Sequence, residues 1–389
     1  MTMTARERFL AAANQQPVDR IPLDMTLEIG AYNRLVRYLD NGMPEIDTCG
    51  TNLMVYPDVE FCQALGIDVM YLKIGAPKRV KPFTYGDDTF TTEFGLVYKK
   101  SVTGSGIIDY EPCNAPFADF TVEDLEHYDW PDPEDDNIFV GLRERAKQIT
   151  EKYDVALGGY FNGSVFSTPS LLRGMEQWLV DLLIDEEFAR RLMEIMCDYY
   201  TRLYCKALDV CGEYLSFVRL DFDDFGTQNG LLISREMFNN LVRPYEEKFC
   251  RDVKAHFKKV NPDGLIMKHT CGDVLDLIGD FVDMGIDILN PIQPRTKFMT
   301  RELVGSRYGG KIAFMGAVDT QQTMPYGTPE EVEEDVKDCL RKLAGPSGYI
   351  AGPSHHIQAD VPPENVMAFV NAVHKYGQVE NGRFVELIK

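Results

Sequence analysis

His269 and Cys271 stand two residues apart at the end of an apolar run. On an extended strand that spacing puts both side chains on one face. An imidazole beside a thiolate suits Zn²⁺ better than Mg²⁺ or Ca²⁺. His355, in the run Ser354-His355-His356, offers a third donor. Three protein ligands with an open fourth position make up the arrangement of catalytic zinc. The same pair also suits a hydrogen-bonded histidine beside a packed thiol. Upstream lies the acidic run Asp221-Phe222-Asp223-Asp224. Asp221 and Asp223 are candidates for general acid–base work, for orienting metal ligands, or for holding a cationic group. Asp224 suits capping. Asn162, Asn290 and Gln293 each follow an apolar run and are candidates for positioning substrate. His127, His256 and His374 fall on helical or linker segments and are read as surface or core residues.

These residues need a scaffold that gathers distant segments. Eight short apolar runs read as buried strands: Ile21–Leu27, Asp68–Ile74, Val155–Phe161, Leu215–Phe222, Gly264–His269, Ile286–Asn290, Ile312–Gly316 and Gly348–Gly352. Longer amphipathic stretches separate them. Thr168-Pro169 reads as the cap and first turn of a helix through Ile184, and a second helix follows over Glu187–Leu208. Ser234 caps a helix through Lys258, and Thr328-Pro329-Glu330-Glu331 is a capping box. Pro363–Tyr376 is the last helix. Eight such alternations predict an α/β chain folded as a (β/α)₈ TIM barrel with an N-terminal extension. No Gly-x-Gly-x-x-Gly follows the first strand, so an open dinucleotide-binding sheet lacks its signature. Asp87–Ser101 alternates β-formers and predicts a hairpin around Glu93–Gly95. With the acidic linker Tyr128–Asn137, it forms an insertion over about 87–137 within a single domain, 1–389. Active sites of such barrels lie at the C-terminal strand ends. All the candidates fall there.

Composition limits the partners. Lys and Arg number 40 against 61 Asp and Glu, a formal net charge of −21. Such a chain is a poor binder of nucleic acid and repels free polyanions. No run of about 18 apolar residues spans a membrane, and the N-terminus has no apolar secretory segment. Nine scattered cysteines suit reduced thiols and a cytoplasmic location rather than a disulfide framework. A homodimer is the default assembly.

Four segments together resemble the uroporphyrinogen decarboxylase superfamily: ERFLAAANQQPVDRIPLDM, DDFGTQNGLLISREMFNNLVRPYEEKF, KHTCGDVLDLIGDFVDMGIDILNPIQP and GPSHHIQADVPPENV. The resemblance runs from about Arg6 to Tyr376 and implies an (α/β)₈ barrel. One branch of that superfamily decarboxylates uroporphyrinogen without a cofactor. The other comprises zinc-dependent methyltransferases that exchange methyl groups with a corrinoid (cobalamin) protein. The decarboxylase branch carries arginines near its N-terminus that hold substrate carboxylates. Here the stretch Arg20 to Gly30 lacks the downstream arginines and carries Asp24 and Glu28 instead. The methyltransferase branch has His-x-Cys after the fifth strand and Cys after the eighth. His269 and Cys271 match, and His355 stands where the family has the second Cys. The resemblance therefore implies zinc on His269, Cys271 and His355. The implied partners are a corrinoid protein and a small thiol or methoxy compound that gives or takes the methyl group. A decarboxylase-type lyase on a porphyrinogen or small acid is the alternative, and a non-catalytic binder a third reading.

Overall fold

A computed structural model describes residues 2–46, 53–102, 108–220, 223–344 and 347–387. The strands, in chain order, begin with β1 (Val69–Lys73). An excursion follows, made of β2 (Thr89–Thr91), β3 (Val97–Val102) and β4 (Ile108–Pro112). Next come β5 (Ala156–Tyr160), β6 (Phe217–Leu220) and a two-residue pair, β7 (Gly226–Thr227) with β8 (Gly230–Leu231). Then come β9 (Leu265–His269), β10 (Ile288–Asn290), β11 (Ala313–Val318) and β12 (Tyr349–Pro353), and last a short antiparallel pair, β13 (Val379–Glu380) with β14 (Arg383–Phe384). One parallel sheet runs in the order β1-β5-β6-β9-β10-β11-β12. Its edges are joined by residues 21–27. Leu23 bridges Ala351 in parallel, the Asp24 amide donates to Ala351 O at 2.7 Å, and the Asp68 amide donates to Leu23 O at 2.8 Å. The curled sheet thereby takes the TIM-barrel form. Residues 21–27 make bridges rather than a continuous ladder, because Pro22 has no N–H to donate.

The bottom of the barrel is tied by charge. Asp68, fully buried, accepts from Arg8 at 2.6 Å, from both Arg20 terminal nitrogens at 2.6 and 2.9 Å, and from the Leu23 amide at 2.8 Å. Arg20 is thus committed at the end opposite the mouth. Inside, strand alternation sets which side chains face in. Phe217 stacks on Phe9, with centroids 4.9 Å apart, and a Cβ at Gly158 would lie 2.2 Å from its ring. Glycine at 158 makes room for that ring. One hydrophobic cluster runs from Phe9 to Tyr376.

Two helix expectations and one hairpin change in detail. The stretch from Thr168 to Ile184 is two helices, Ser167–Arg173 and Met175–Ile184, broken at Gly174 with φ +85°. Thr168 is not the cap. The Ser164 hydroxyl accepts from the Thr168 amide at 2.6 Å, and the Asp223 carboxylate takes the amides before it. The helix capped by Ser234 runs on to Val260 but widens into a π turn over Phe238–Val242. Pro244 lacks the donor that Asn240 O would receive four residues back, and Arg190 Nη2 supplies one at 3.2 Å. The expected hairpin at Glu93–Gly95 forms, but a third strand, β4, makes it a three-stranded antiparallel sheet. Phe90 and Tyr98 stack across it with centroids 4.8 Å apart.

The capping box at Thr328 forms as expected, with Thr328 and Glu331 exchanging side-chain and backbone bonds ahead of the helix Pro329–Leu343. Thr328→Ala should cost about 1 kcal/mol, read as a lower urea midpoint at unchanged slope. A midpoint equal to wild type would show that the first turn is held by packing alone.

Candidate functional site

At the C-terminal end of β9 the ligand atoms of His269, Cys271 and Asp224 lie within 4.8 Å of one another. Strand alternation aims His269 into the barrel, as it does Arg219 two residues past Phe217 on β6. His269 Nδ1 lies 2.7 Å from Asn290 Oδ1 on the neighbouring strand. The Asn290 amide donates to Met315 O at 3.2 Å, which fixes Oδ1 as the acceptor. His269 therefore carries its proton on Nδ1. That leaves the Nε2 lone pair facing Cys271 Sγ, 3.6 Å away.

The loops behind the trio are packed backbone on backbone. Gly272 adopts φ +84°, and a Cβ there would lie 2.2 Å from Gly226. Glycine at both positions lets the loop after β9 touch the loop after β6. Asp224 Oδ1 then accepts from the Cys271 amide at 2.7 Å, and Gln293 Oε1 accepts from the Gly272 amide at 2.7 Å.

Burial works against the charged form of all three donors. It pushes the His269 imidazole well below its ordinary value, with the Arg219 charge acting the same way. It pushes the Cys271 thiol well above its ordinary value, with the Asp224 charge adding to it. The Asp224 carboxyl is raised by burial and then by Asp223, against the Cys271 amide. A bound cation would reverse this for the thiol and the carboxyl, because metal ligands are deprotonated groups. A nitrogen, a sulfur and a carboxylate oxygen at this spacing fit a zinc ion.

The other sequence candidates separate. Asn290 lines the cavity and bonds His269, while Gln293 holds the Gly272 amide. His355 lines a cavity that His269 and Asn290 also line; its ring is 4.7 Å from that of His356, and it stands outside the group of three close donors. Asn162 is exposed just past β5 in left-handed backbone, φ +53°, and does not line the cavity. Asp221 lies outside the described residues. Asp223 is wholly buried and accepts from the amides of Val165, Phe166 and Ser167 and from Lys268 Nζ at 3.0 Å. Its oxygens anchor the Ser167–Arg173 helix. Asp224, expected to be structural, is the acid that joins His269 and Cys271. The wall also includes Asp24, Tyr71 and Arg219, which the sequence reading did not single out. Strand alternation was the signal for Arg219, since a charged residue inside an all-buried run has to face something polar.

Residues 86–376 match the sequence profile of uroporphyrinogen decarboxylase (URO-D). The chain belongs to the uroporphyrinogen decarboxylase family. It is 34% identical to the uroporphyrinogen decarboxylase of Idiomarina loihiensis over 379 residues, covering 95% of this chain and 96% of that protein. Identity to the Trichlorobacter lovleyi uroporphyrinogen decarboxylase is 25% over 388 residues, covering 95% and 99%. The match to the Schizosaccharomyces pombe uroporphyrinogen decarboxylase, 29% identical, is confined to 149 residues, 39% of that protein. Among solved structures, a methyltransferase from Methanosarcina mazei superposes with a TM-score of 0.64 at 17% identity, covering 96% of this chain and 99% of that one. That likeness is one of fold. Among the described residues of this family member, no helix is long and apolar enough to cross a membrane.

Proposed function

We propose that this uroporphyrinogen decarboxylase family enzyme is a zinc-dependent methyltransferase. It would exchange a methyl group between a small thiol or methoxy substrate and a corrinoid carried by a partner protein. The observation that carries this reading is the trio of His269, Cys271 and Asp224 at the barrel mouth. A thiolate and a carboxylate together neutralise a divalent ion. That is the same charge balance as the His-Cys-Cys set of the family's methyltransferases, reached with Asp224 in place of the second thiolate. His355 alone in that place would leave the site one charge more positive.

Zinc held by these residues would supply Lewis acidity, lowering the pKa of a bound thiol or polarising a methoxy oxygen. The chain's own residues do the rest. Asn290 fixes the His269 tautomer, and Gln293 and the Gly226–Gly272 contact hold Cys271 and Asp224 in place. His355 stands on the cavity wall, within reach of substrate.

The second reading, a decarboxylase-type lyase on a porphyrinogen or small acid, is favoured by the names of the full-length relatives. The cavity wall argues against a polycarboxylate. Among the described residues lining it, Arg219 is the one permanent cation, while Asp24 is an acid. An octacarboxylate needs several cationic partners.

Elemental analysis tests the first reading. Wild-type protein should carry about one zinc per chain, and Cys271→Ser should lose it. No metal after growth with ample zinc would overturn it. Release of CO₂ from uroporphyrinogen would support the lyase reading instead.

A further inference from the structure

Two polar atoms on the cavity wall have no hydrogen-bond partner in the protein, and neither belongs to the metal-capable trio. They are Asp24 Oδ1 and His356 Nδ1. Both residues line the cavity, at 3% and 7% exposure. They sit on adjacent segments. The Asp24 amide donates to Ala351 O at 2.7 Å, and Ile357 and Glu28 continue the pairing, with Ile357 N on Thr26 O at 2.9 Å and Glu28 N on Ile357 O at 3.0 Å. An unpaired buried acceptor carries a desolvation penalty that folded chains avoid unless something fills the site. Here two unpaired polar atoms belong to residues that line one cavity.

We propose that Asp24 and His356 form a subsite for a hydrogen-bond-donating, non-anionic group of the substrate, a hydroxyl or an ammonium. This rests on the functional reading above, which places the reacting end at His269, Cys271 and Asp224. A carboxylate oxygen without a donor attracts such a group and repels an anion. The His356 imidazole nitrogen, on the same cavity wall, gives or takes a second hydrogen bond according to its tautomer. Burial raises the Asp24 carboxyl to about 7, against the Arg219 charge and hydrogen bonds from Tyr71 and the Met25 amide. An ammonium ligand would hold it ionised. The net charge of −21 favours approach of a cation over an anion.

The test compares three thiols that differ in the far group: cysteamine, 2-mercaptoethanol and mercaptoacetate. Each is titrated calorimetrically into zinc-loaded protein. The first two should bind at least about tenfold more tightly than mercaptoacetate, and Asp24→Asn should bring the ratio within about twofold. His356→Gln, expected to narrow the ratio as well, serves if Asp24→Asn does not fold. Equal affinities in wild type, or a ratio unchanged in these variants, overturns the subsite. A protein that takes up no zinc is tested metal-free by saturation-transfer NMR with 2-methoxyethylamine, 2-methoxyethanol and methoxyacetate. Contact with the first two alone would support the subsite even as the metal reading fails. Contact with methoxyacetate, or with none, would overturn it.

Discussion

On the proposed function, replacing His269 by alanine should strip the zinc and lower methyl transfer by more than about 10²-fold. The bound comes from what groups behind a metal ligand cost when lost, about 10–100-fold in affinity or activity. Removing the ligand itself must cost more. Asn290→Leu should fall inside that 10–100-fold range. It keeps all three donors but frees the imidazole to rotate and to place its proton on Nε2, where the lone pair is needed. Zinc content and transfer rate should therefore fall together, in the order wild type, Asn290→Leu, His269→Ala. Both side chains lie at the mouth, away from the Asp68 ion cluster that ties the bottom, so the fold should survive. Full activity in a folded His269→Ala protein would sink the metal reading. Zinc binding without any transfer activity in wild type would favour a non-catalytic binder.

Lys268→Met should destabilise the protein by about 3–5 kcal/mol, the usual cost of removing one partner from a buried ion pair. Lys268 is 1% exposed and points out of the barrel, next to His269, which points in. Its ammonium lies 3.0 Å from Asp223 and 2.8 Å from Glu246 on the helix Arg243–Val260. Burial would lower the Lys268 pKa, but the two carboxylates outweigh it and hold the group charged. Burial would likewise raise Asp223, but Lys268, Glu246 and the backbone amides hold it below its ordinary value. Glu246 goes the other way, pushed up to about 8 by burial and by the Asp223 charge, with Lys268 opposing. The methionine variant leaves Asp223 charged without its counter-ion. A urea midpoint implying less than about 1 kcal/mol of loss would contradict this account.

The same triad sets a pH dependence. A carboxyl raised in the folded state binds more protons folded than unfolded between about 4.5 and about 8. Stability then falls as pH rises through that window. Asp223, depressed, stabilises above its unfolded value near 3.8, and that part is lost only at lower pH. Glu246→Gln should therefore be more stable relative to wild type at pH 8 than at pH 5, by up to a few kcal/mol. Parallel midpoint curves for the two proteins from pH 5 to 8 would show that Glu246 does not hold its proton.

Much of the scaffold was legible in local sequence. Each barrel strand was an apolar run bounded by turn residues, and a fully buried parallel strand has to read that way. The capping box at Thr328, the Pro363 helix start and the hairpin turn at Gly95 rest on contacts a few residues apart, which spacing alone reveals. Less legible was where each polar side chain would point. Asp223 and Asp224 are adjacent acids with opposite tasks, one turned to the Ser167 amides and Lys268, the other to the Cys271 amide. No local pattern distinguishes them.

The sequence by itself determined the alternation that builds the barrel, the His-x-Cys pair at a strand end and the acidic balance of the chain. These follow from periodicity and composition, which need no knowledge of what lies across the chain. Only the tertiary structure decided which acid completes the trio and why Asn290 matters. It also decided that Asp24 and His356 open on the same cavity. Each of those depends on segments between 21 and about 330 residues apart meeting at one mouth. Their meeting is set by barrel closure and by backbone contacts as close as that of Gly226 on Gly272. The strand ends are far apart in sequence and adjacent in space, so the chemistry of the site belongs to the closed ring rather than to any one run of residues.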